Sequence, residues 1–386
     1  MTKADTPPVS LTLRGAQVLR PEGLSSEPLH LGGGKVSDQQ KKAQVDLTGY
    51  LILPGIVDVH GDGFERHLAP RRGALDRLED GIASLDAELA ANGITTAVLS
   101  QFFSWEGGMR GPDFAERMAA VLDMTEAMTD LLLQLRLEIN LIDEYPRVLA
   151  LIERHNIPYV VFNDHLPHDA LAHGKRPPRL TGQALKSGRS PEAHLALLQS
   201  LHARQAEVGP TLDRFAETLR GRGVILGSHD DPTAETRARY RDRGAYIAEF
   251  PETRAAALAA SGAGDAVIMG APNVVRGGSH DKRQSAADLI AEGMVDALVS
   301  DYYYPAPLKA AFKLVDAGMP IKDAWALVSS NPANIVGLDD RGTLDTGKRA
   351  DLVVLYARTR RVEGTVCGGV FSYLSGPLAH RLIGAD

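Results

Sequence analysis

Apolar positions recur with two different periods along this 386-residue chain, and the change of period divides it. Between residues 9 and 50 they alternate, as Leu11, Leu13, Val18, Leu19, Val45, Leu47 and Tyr50, around the turn Gly32-Gly33-Gly34. Alternation puts every second side chain on one face of an extended segment, so short antiparallel strands joined by hairpins are predicted. From Leu51 the pattern becomes a short apolar run followed by a stretch of helical spacing, repeated. The strands predicted are Ile56–Val59, Ile94–Leu99, Leu131–Leu141, Tyr159–Phe162, Val224–Leu226, Ala245–Phe250, Ala266–Met269 and Ala297–Val299. Helices are predicted near Leu75–Asn92, Phe114–Thr129 and Tyr145–His155, with a long one over Pro191–Leu219. The tail returns to strand character: Gly342–Leu355 reads as two strands around a glycine turn, and Val362–Tyr373 adds more.

Buried strands alternating with helices are the pattern of an α/β fold, and about eight of them point to a (β/α)8 TIM-like barrel. An open doubly wound sheet would carry a glycine-rich dinucleotide turn after an early strand, and none is present. The triple glycine at 32–34 is not such a turn, because no helix opens after it and no Lys-Ser/Thr follows. The two strand-rich ends are expected to pair into one small discontinuous β-sandwich. Residues 1–52 and 340–386 would form it, beside a barrel of residues 53–339.

Composition narrows the function classes. With 44% hydrophobic and 24% charged residues the chain has the balance of a globular protein with a sizeable core;. No run approaches the roughly 18 apolar residues of a membrane span, and Met1-Thr-Lys-Ala-Asp-Thr-Pro-Pro lacks the apolar region of a signal peptide;. Cys367 is the only cysteine, so no internal disulfide forms and a cytoplasmic location is expected. The net charge is −7, without a basic run, which argues against nucleic acid as a partner and leaves a small molecule. A homo-oligomer is compatible with all of this.

The chemistry gathers where strands end. Leu51-Ile-Leu-Pro-Gly-Ile-Val-Asp-Val-His-Gly-Asp62 stops at His60 and Asp62, two residues apart and so on one side of an extended chain;. Glu138 stands inside an apolar run, where an acid is expensive unless paired or metal-bound;. Tyr159–Phe162 leads into Asn163-Asp164-His165, Val224–Leu226 into Gly227-Ser-His-Asp-Asp231, and Ala297–Val299 into Ser300-Asp301. A lone strand-end histidine is usually structural. Three histidines and three carboxylates at five strand ends supply a two-metal centre with an open edge for water. Trp105 and Trp325 read as core, and His67, His168 and His173 have no strand-end placement.

This order of ligands resembles the amidohydrolase superfamily, as does the tail Gly342-Thr-Leu-Asp-Thr-Gly-Lys-Arg-Ala-Asp-Leu-Val353. Longer motifs resemble one family within it, the alpha-D-ribose 1-methylphosphonate 5-triphosphate diphosphatases. They are Leu53-Pro-Gly-Ile-Val-Asp-Val-His60, Gly93-Ile-Thr-Thr96, Ser228-His-Asp-Asp231, Ile247-Ala-Glu-Phe-Pro-Glu-Thr253, Met269-Gly-Ala-Pro-Asn-Val-Val-Arg-Gly-Gly-Ser-His280, Ser300-Asp-Tyr-Tyr303 and Asn331-Pro-Ala333. The likeness covers most of residues 50–355. It departs at Ile139-Asn140, where the family has a Leu-Pro-His type segment, and at Leu166-Pro-His-Asp169, where it has Thr-Pro-Gly-Gln. A further tyrosine stands in Tyr302-Tyr-Tyr304. The ligand positions are kept.

The resemblance implies hydrolysis of a ribose 5-triphosphate to the 5-phosphate with release of pyrophosphate, in phosphonate breakdown. Two divalent ions are implied, zinc first and manganese or iron as substitutes, because the donors are nitrogen and oxygen without sulfur. His60, Asp62 and Asp301 are assigned to one ion, His165 and His229 to the other, with Glu138 between them and Asp301 as the base. Arg276, Gly277, Gly278, Ser279 and His280 are the expected phosphate contacts, since glycines let backbone N–H groups approach an anion. The basic pairs Arg71-Arg72 and Lys175-Arg176 are weaker candidates. Asp230 and Asp231 are expected to orient His229 through its second nitrogen or to assist a leaving group. The competing expectations are a deaminase or deacetylase cleaving a C–N bond with the same metals, and a scaffold that has lost them.

Overall fold

The structure is a computed structural model, and residues 6–69, 77–277 and 285–383 are described. The N-terminal strands are β1 (Leu11–Arg14), β2 (Gln17–Arg20), β3 (Gly23–Ser25), β4 (Leu29–Gly32), β5 (Lys35–Ser37), β6 (Gln44–Asp46) and β7 (Tyr50–Pro54). The barrel strands are β8 (Ile56–Gly61), β9 (Ile94–Phe103), β10 (Asp130–Glu138), β11 (Tyr159–Asn163), β12 (Ile225–His229), β13 (Ile247–Glu249), β14 (Ala266–Gly270) and β15 (Ala297–Val299). The C-terminal strands are β16 (Leu352–Tyr356), β17 (Arg361–Cys367) and β18 (Val370–Leu374).

β8 to β15 form one eight-stranded sheet whose strands neighbour each other in chain order. The pairs β8–β9, β10–β11, β11–β12, β12–β13 and β14–β15 are parallel. A parallel bridge between Gly61 and Asp301 joins the first strand to the residues after the last, so the sheet curls into a (β/α)8 barrel;. β8, β9, β11, β13 and β15 are buried along their whole length, as strands covered on both faces are;.

The chain divides into two compact units. The first comprises Met1–Leu99, Thr125–Leu132 and Ile268–Asp386, the second Ser100–Met124 and Leu133–Val267. Within the first unit, β5-β4-β1-β6 make one sheet and β18-β17-β16-β7-β2-β3 another. Leu13, Leu31, Val36 and Val45 from one pack with Ile52, Leu352, Val354 and Val366 from the other, which is the core of a β-sandwich;. β7 pairs antiparallel with β16, so both ends of the chain share a sheet. Within the second unit, a smaller cluster gathers Trp105, Leu166, Leu180 and Leu198. Thr233 and Thr253 cap the helices Ala234–Asp242 and Arg254–Gly262 by accepting from Thr236 N and Ala256 N, which fixes the loops leaving β12 and β13;.

Several boundaries differ from those read in the sequence. The single long helix over 191–219 is two helices, Pro191–Ala203 and Gln205–Gly221. Arg204 leaves helical geometry between them, and Pro210 withholds one backbone bond from the second;. Apolar spacing runs on across such a break, so the period does not reveal it. Residues 342–351 turn and form no strand, because Gly342 and Gly347 adopt φ of +87° and +89°;. The N-terminal strands are not all antiparallel: β1 pairs parallel with β6, and β2 with β7. The expected hairpin at the triple glycine is present between β4 and β5, with Gly33 and Gly34 both at positive φ;. The strand expected over 131–141 ends at Glu138, while β9 runs on to Phe103. The helix expected from Leu75 is described from Leu78 to Ala91. Among the described residues, no helix is long and apolar enough to cross a membrane.

Candidate metal centre

Strand alternation in the second unit aims a row of polar side chains into a common layer. On β10 they are Gln134, Arg136 and Glu138, on β11 Tyr159 and Asn163, on β12 His229 and on β13 Glu249;. Register brings them level: Gln134 lies beside Tyr159, Glu138 beside Asn163, and His229 beside Glu249. Gly227 makes room for the layer, since a Cβ there would stand 2.9 Å from the Tyr159 hydroxyl.

Glu249 organises one side of this layer. Gln134 Nε2 and Tyr159 Oη donate to its Oε1 at 2.7 and 2.8 Å, and His229 Nδ1 lies 3.2 Å from its Oε2. Donors on both oxygens compensate a carboxylate taken fully out of water;. Burial, with Glu249 beside it, pushes the Tyr159 phenol well above its ordinary pKa, so it stays a donor;. His229 Nε2 lies 2.7 Å from Arg136 Nη2. A guanidinium only donates, so Nε2 accepts and the ring carries its proton on Nδ1. Arg136 is stacked on Phe102, 4.0 Å from the ring centroid;.

Glu138 organises the other side. Its Oε1 lies 2.7 Å from His165 Nδ1, while its Oε2 accepts from Trp105 Nε1 and from the His165 backbone N–H, both at 3.1 Å. Asp230 Oδ2 stands 3.9 Å from Nε2 of both His165 and His229. Burial opposes a charged His165, but Glu138 and Asp230 outweigh it and the ring is pushed up to about 10. The cluster thus favours positive charge between its carboxylates. His165, His229 and Asp230 each offer one donor atom, all within 4.8 Å of one another. Two imidazole nitrogens and a carboxylate oxygen, without sulfur, fit a divalent ion of the zinc, manganese or iron kind.

The first unit holds the remaining predicted ligands close in the chain fold. Asp301 N donates to His60 O at 3.1 Å, and Asp62 N to Asp301 O at 2.9 Å. His60 is fully buried. Asp58, two residues before it, accepts from Ser300 N at 2.9 Å and Ser300 Oγ at 2.5 Å, which clamps the end of β15 to β8. Burial pushes the Asp58 carboxyl up, against the pull of those bonds. Gly61 is required here, as a Cβ would lie 2.9 Å from Ser300 Oγ and from the Tyr304 ring.

Among the described residues, five non-glycine residues have positive φ, and three follow barrel strands: Asp230 at +57°, Phe250 at +53° and Asp301 at +55°. Such backbone strain gathers at functional sites. At Phe250 it lays the ring edge-on against His229, centroids 5.0 Å apart.

The other predicted residues divide. Arg276 ends the helix Ala271–Arg276 and lies over the exposed Tyr302 ring at 5.2 Å, with Gly277 at φ +82° closing the helix. Gly278, Ser279 and His280 lie outside the described residues, as do Arg71 and Arg72. Asp231 accepts from Ser228 Oγ at 2.6 Å and Arg237 Nη1 at 3.1 Å, and the carboxylate beside His229 Nδ1 is that of Glu249. Sequence reasoning missed Glu249, although an acid at the end of the run Ile247-Ala-Glu249 is the same signal that singled out Glu138. Arg136 and the polar role of Trp105 had no such signal.

A parallel barrel with histidines and carboxylates at its strand ends defines a class of barrel hydrolases. The amidohydrolase family matches residues 192–371. The alpha-D-ribose 1-methylphosphonate 5-triphosphate diphosphatase of Escherichia coli (strain K12) is 32% identical over 330 residues, 83% of this chain and 86% of that protein. The chain belongs to the amidohydrolase family and is a hydrolase related to that diphosphatase. The fold is shared with a Xaa-Pro dipeptidase (TM-score 0.64, 13% identity, 95% of this chain and 100% of that one). It is shared too with an N-acetylglucosamine-6-phosphate deacetylase from Pasteurella multocida (TM-score 0.61, 12% identity, 94% and 99%).

Proposed function

We propose that this chain hydrolyses alpha-D-ribose 1-methylphosphonate 5-triphosphate to the 5-phosphate and pyrophosphate, in phosphonate catabolism. The observation that carries the reading is the 32% identity to the Escherichia coli enzyme across 83% of the chain. The kept strand-end donors support it. Water adds to phosphorus, the P–O bond to the departing pyrophosphate breaks, and one proton of the water is taken up by a base.

His60, Asp62, Glu138, His165, His229 and Asp301 would hold two divalent ions, with Asp230 as a further oxygen donor. Bound ions lower the pKa of water to roughly 7 and neutralise phosphate charge. Asp301 would take the water proton. His229 would offer Nε2, the nitrogen beside Arg136, once the guanidinium N–H gives up that lone pair, while Glu249 keeps the proton on Nδ1;. Arg276 and the glycines after it would contact the phosphates.

The test is product analysis with purified, metal-loaded protein on a panel of ribose 5-triphosphates and on amide or amine substrates. Pyrophosphate release supports the reading. Ammonia or carboxylate release without pyrophosphate replaces it with C–N bond cleavage.

A further inference from the structure

Asn163 is the last residue of β11 and is fully buried, yet neither Oδ1 nor Nδ2 of its amide has a hydrogen-bond partner among the described residues. Its direction follows from the strand. Phe162 faces outward and stacks on Tyr240 of the helix Ala234–Asp242, centroids 6.1 Å apart. Asn163 therefore faces inward with Tyr159, whose hydroxyl reaches Glu249;. It stands level with Glu138. That neighbour makes no bond to it: the Glu138 Oε2 accepts from Trp105 and from the His165 backbone N–H, and its Oε1 lies beside His165 Nδ1. A buried amide with both functions unmade is destabilising, and such groups are kept where a ligand uses them.

The chemistry of the amide selects the ligand. It presents a donor and an acceptor side by side. A phosphoryl oxygen only accepts and would use Nδ2 alone, whereas a hydroxyl both accepts and donates. We propose that Asn163 binds a hydroxyl of the sugar portion of the substrate, a specificity contact beside Glu138. The proposal rests on the phosphorylated-sugar reading above and extends it to the part of the substrate that carries no phosphate.

The experiment uses the full, metal-loaded chain, with ribose 5-phosphate and inorganic pyrophosphate as probes in calorimetry. The variants are Asn163→Leu, similar in shape without polar atoms, and Asn163→Ala. Asn163→Leu should melt at or above the wild-type temperature, since it removes unmade bonds. Both variants should bind ribose 5-phosphate at least about tenfold more weakly and pyrophosphate within about twofold of wild type. If Asn163→Leu folds poorly, the affinity pattern of Asn163→Ala decides alone. Three affinity outcomes overturn the proposal: equal weakening of both probes, unchanged ribose 5-phosphate affinity, or no ribose 5-phosphate binding by the wild type. A lowered melting temperature of a folded Asn163→Leu also does, by making the amide structural. Failure of the diphosphatase reading shows separately, as absent pyrophosphate release by the wild type, and leaves the affinity pattern intact.

Discussion

Glu249 faces the Nδ1 of His229 at 3.2 Å and so decides which nitrogen of that ring is left to accept. Arg136 takes the accepting nitrogen at 2.7 Å, and Gln134 and Tyr159 hold Glu249 from behind. Outer partners of this kind set the tautomer and direction of a metal-binding histidine. Glu249→Gln should lower metal affinity by about 10–100-fold. Competition with a chelator measures it, and an unchanged affinity would remove Glu249 from this role.

Trp105 is buried, and its indole N–H is bonded to Glu138 at 3.1 Å. Trp105→Phe keeps most of the ring volume and removes that donor. The expected result is a loss of about 1 kcal/mol of stability and of about tenfold in metal affinity, read by denaturant unfolding and by the same competition. A loss of stability alone would mean that Trp105 packs without positioning Glu138.

Asp301 sits at φ +55° and is tied to His60 and Asp62 through the backbone. Those bonds use main-chain atoms, so Asp301→Asn keeps them. Turnover should fall by at least about a hundredfold, with the circular dichroism spectrum and melting temperature of a folded protein. Near-wild-type turnover would reject Asp301 as the base.

Asp130 accepts from Arg341 Nη1 at 2.5 Å and Arg349 Nη1 at 2.6 Å, all within the first unit. Burial raises its pKa, but the two guanidinium groups outweigh burial and hold the carboxyl below its ordinary value of 3.8. A depressed folded pKa means that the ionised form stabilises the fold. That contribution is present above the unfolded value, near 4, and is lost as pH falls through the folded value. Asp130→Asn should therefore cost about 1–2 kcal/mol at pH 7, allowing for partial exposure of the pair. The difference from wild type should shrink below about pH 4. Urea unfolding at pH 7 and pH 3 checks this, and a difference that persists at pH 3 would assign the effect to packing.

The barrel was legible because strands buried on both faces cannot hide their apolar runs, and the helices between them keep a different period. The strands at both ends of the chain were legible for a similar reason, as alternation at residues 9–50 and again near the C-terminus. Boundaries were not. Apolar spacing runs through Arg204, where the backbone leaves the helix, and the glycines of 342–347 turn a stretch whose composition suits a strand. At the site, rarity made the inward acid Glu138 and the strand-end histidines visible. Glu249 was equally visible by that rule, and its value appears only once His229 stands beside it.

The sequence by itself determined the eight apolar runs, the change of period at both ends, and the residue types waiting at the strand ends. Those are properties of single segments, set by burial and by the two-residue repeat of a strand. Only the tertiary structure decided which groups meet. It turned Asp231 to Arg237, gave the His229 ring to Glu249 and Arg136, set the Trp105 indole on Glu138, and left the Asn163 amide unbonded in a buried layer. A hydrogen bond depends on distance and direction across strands far apart in the chain, and no local pattern carries that information.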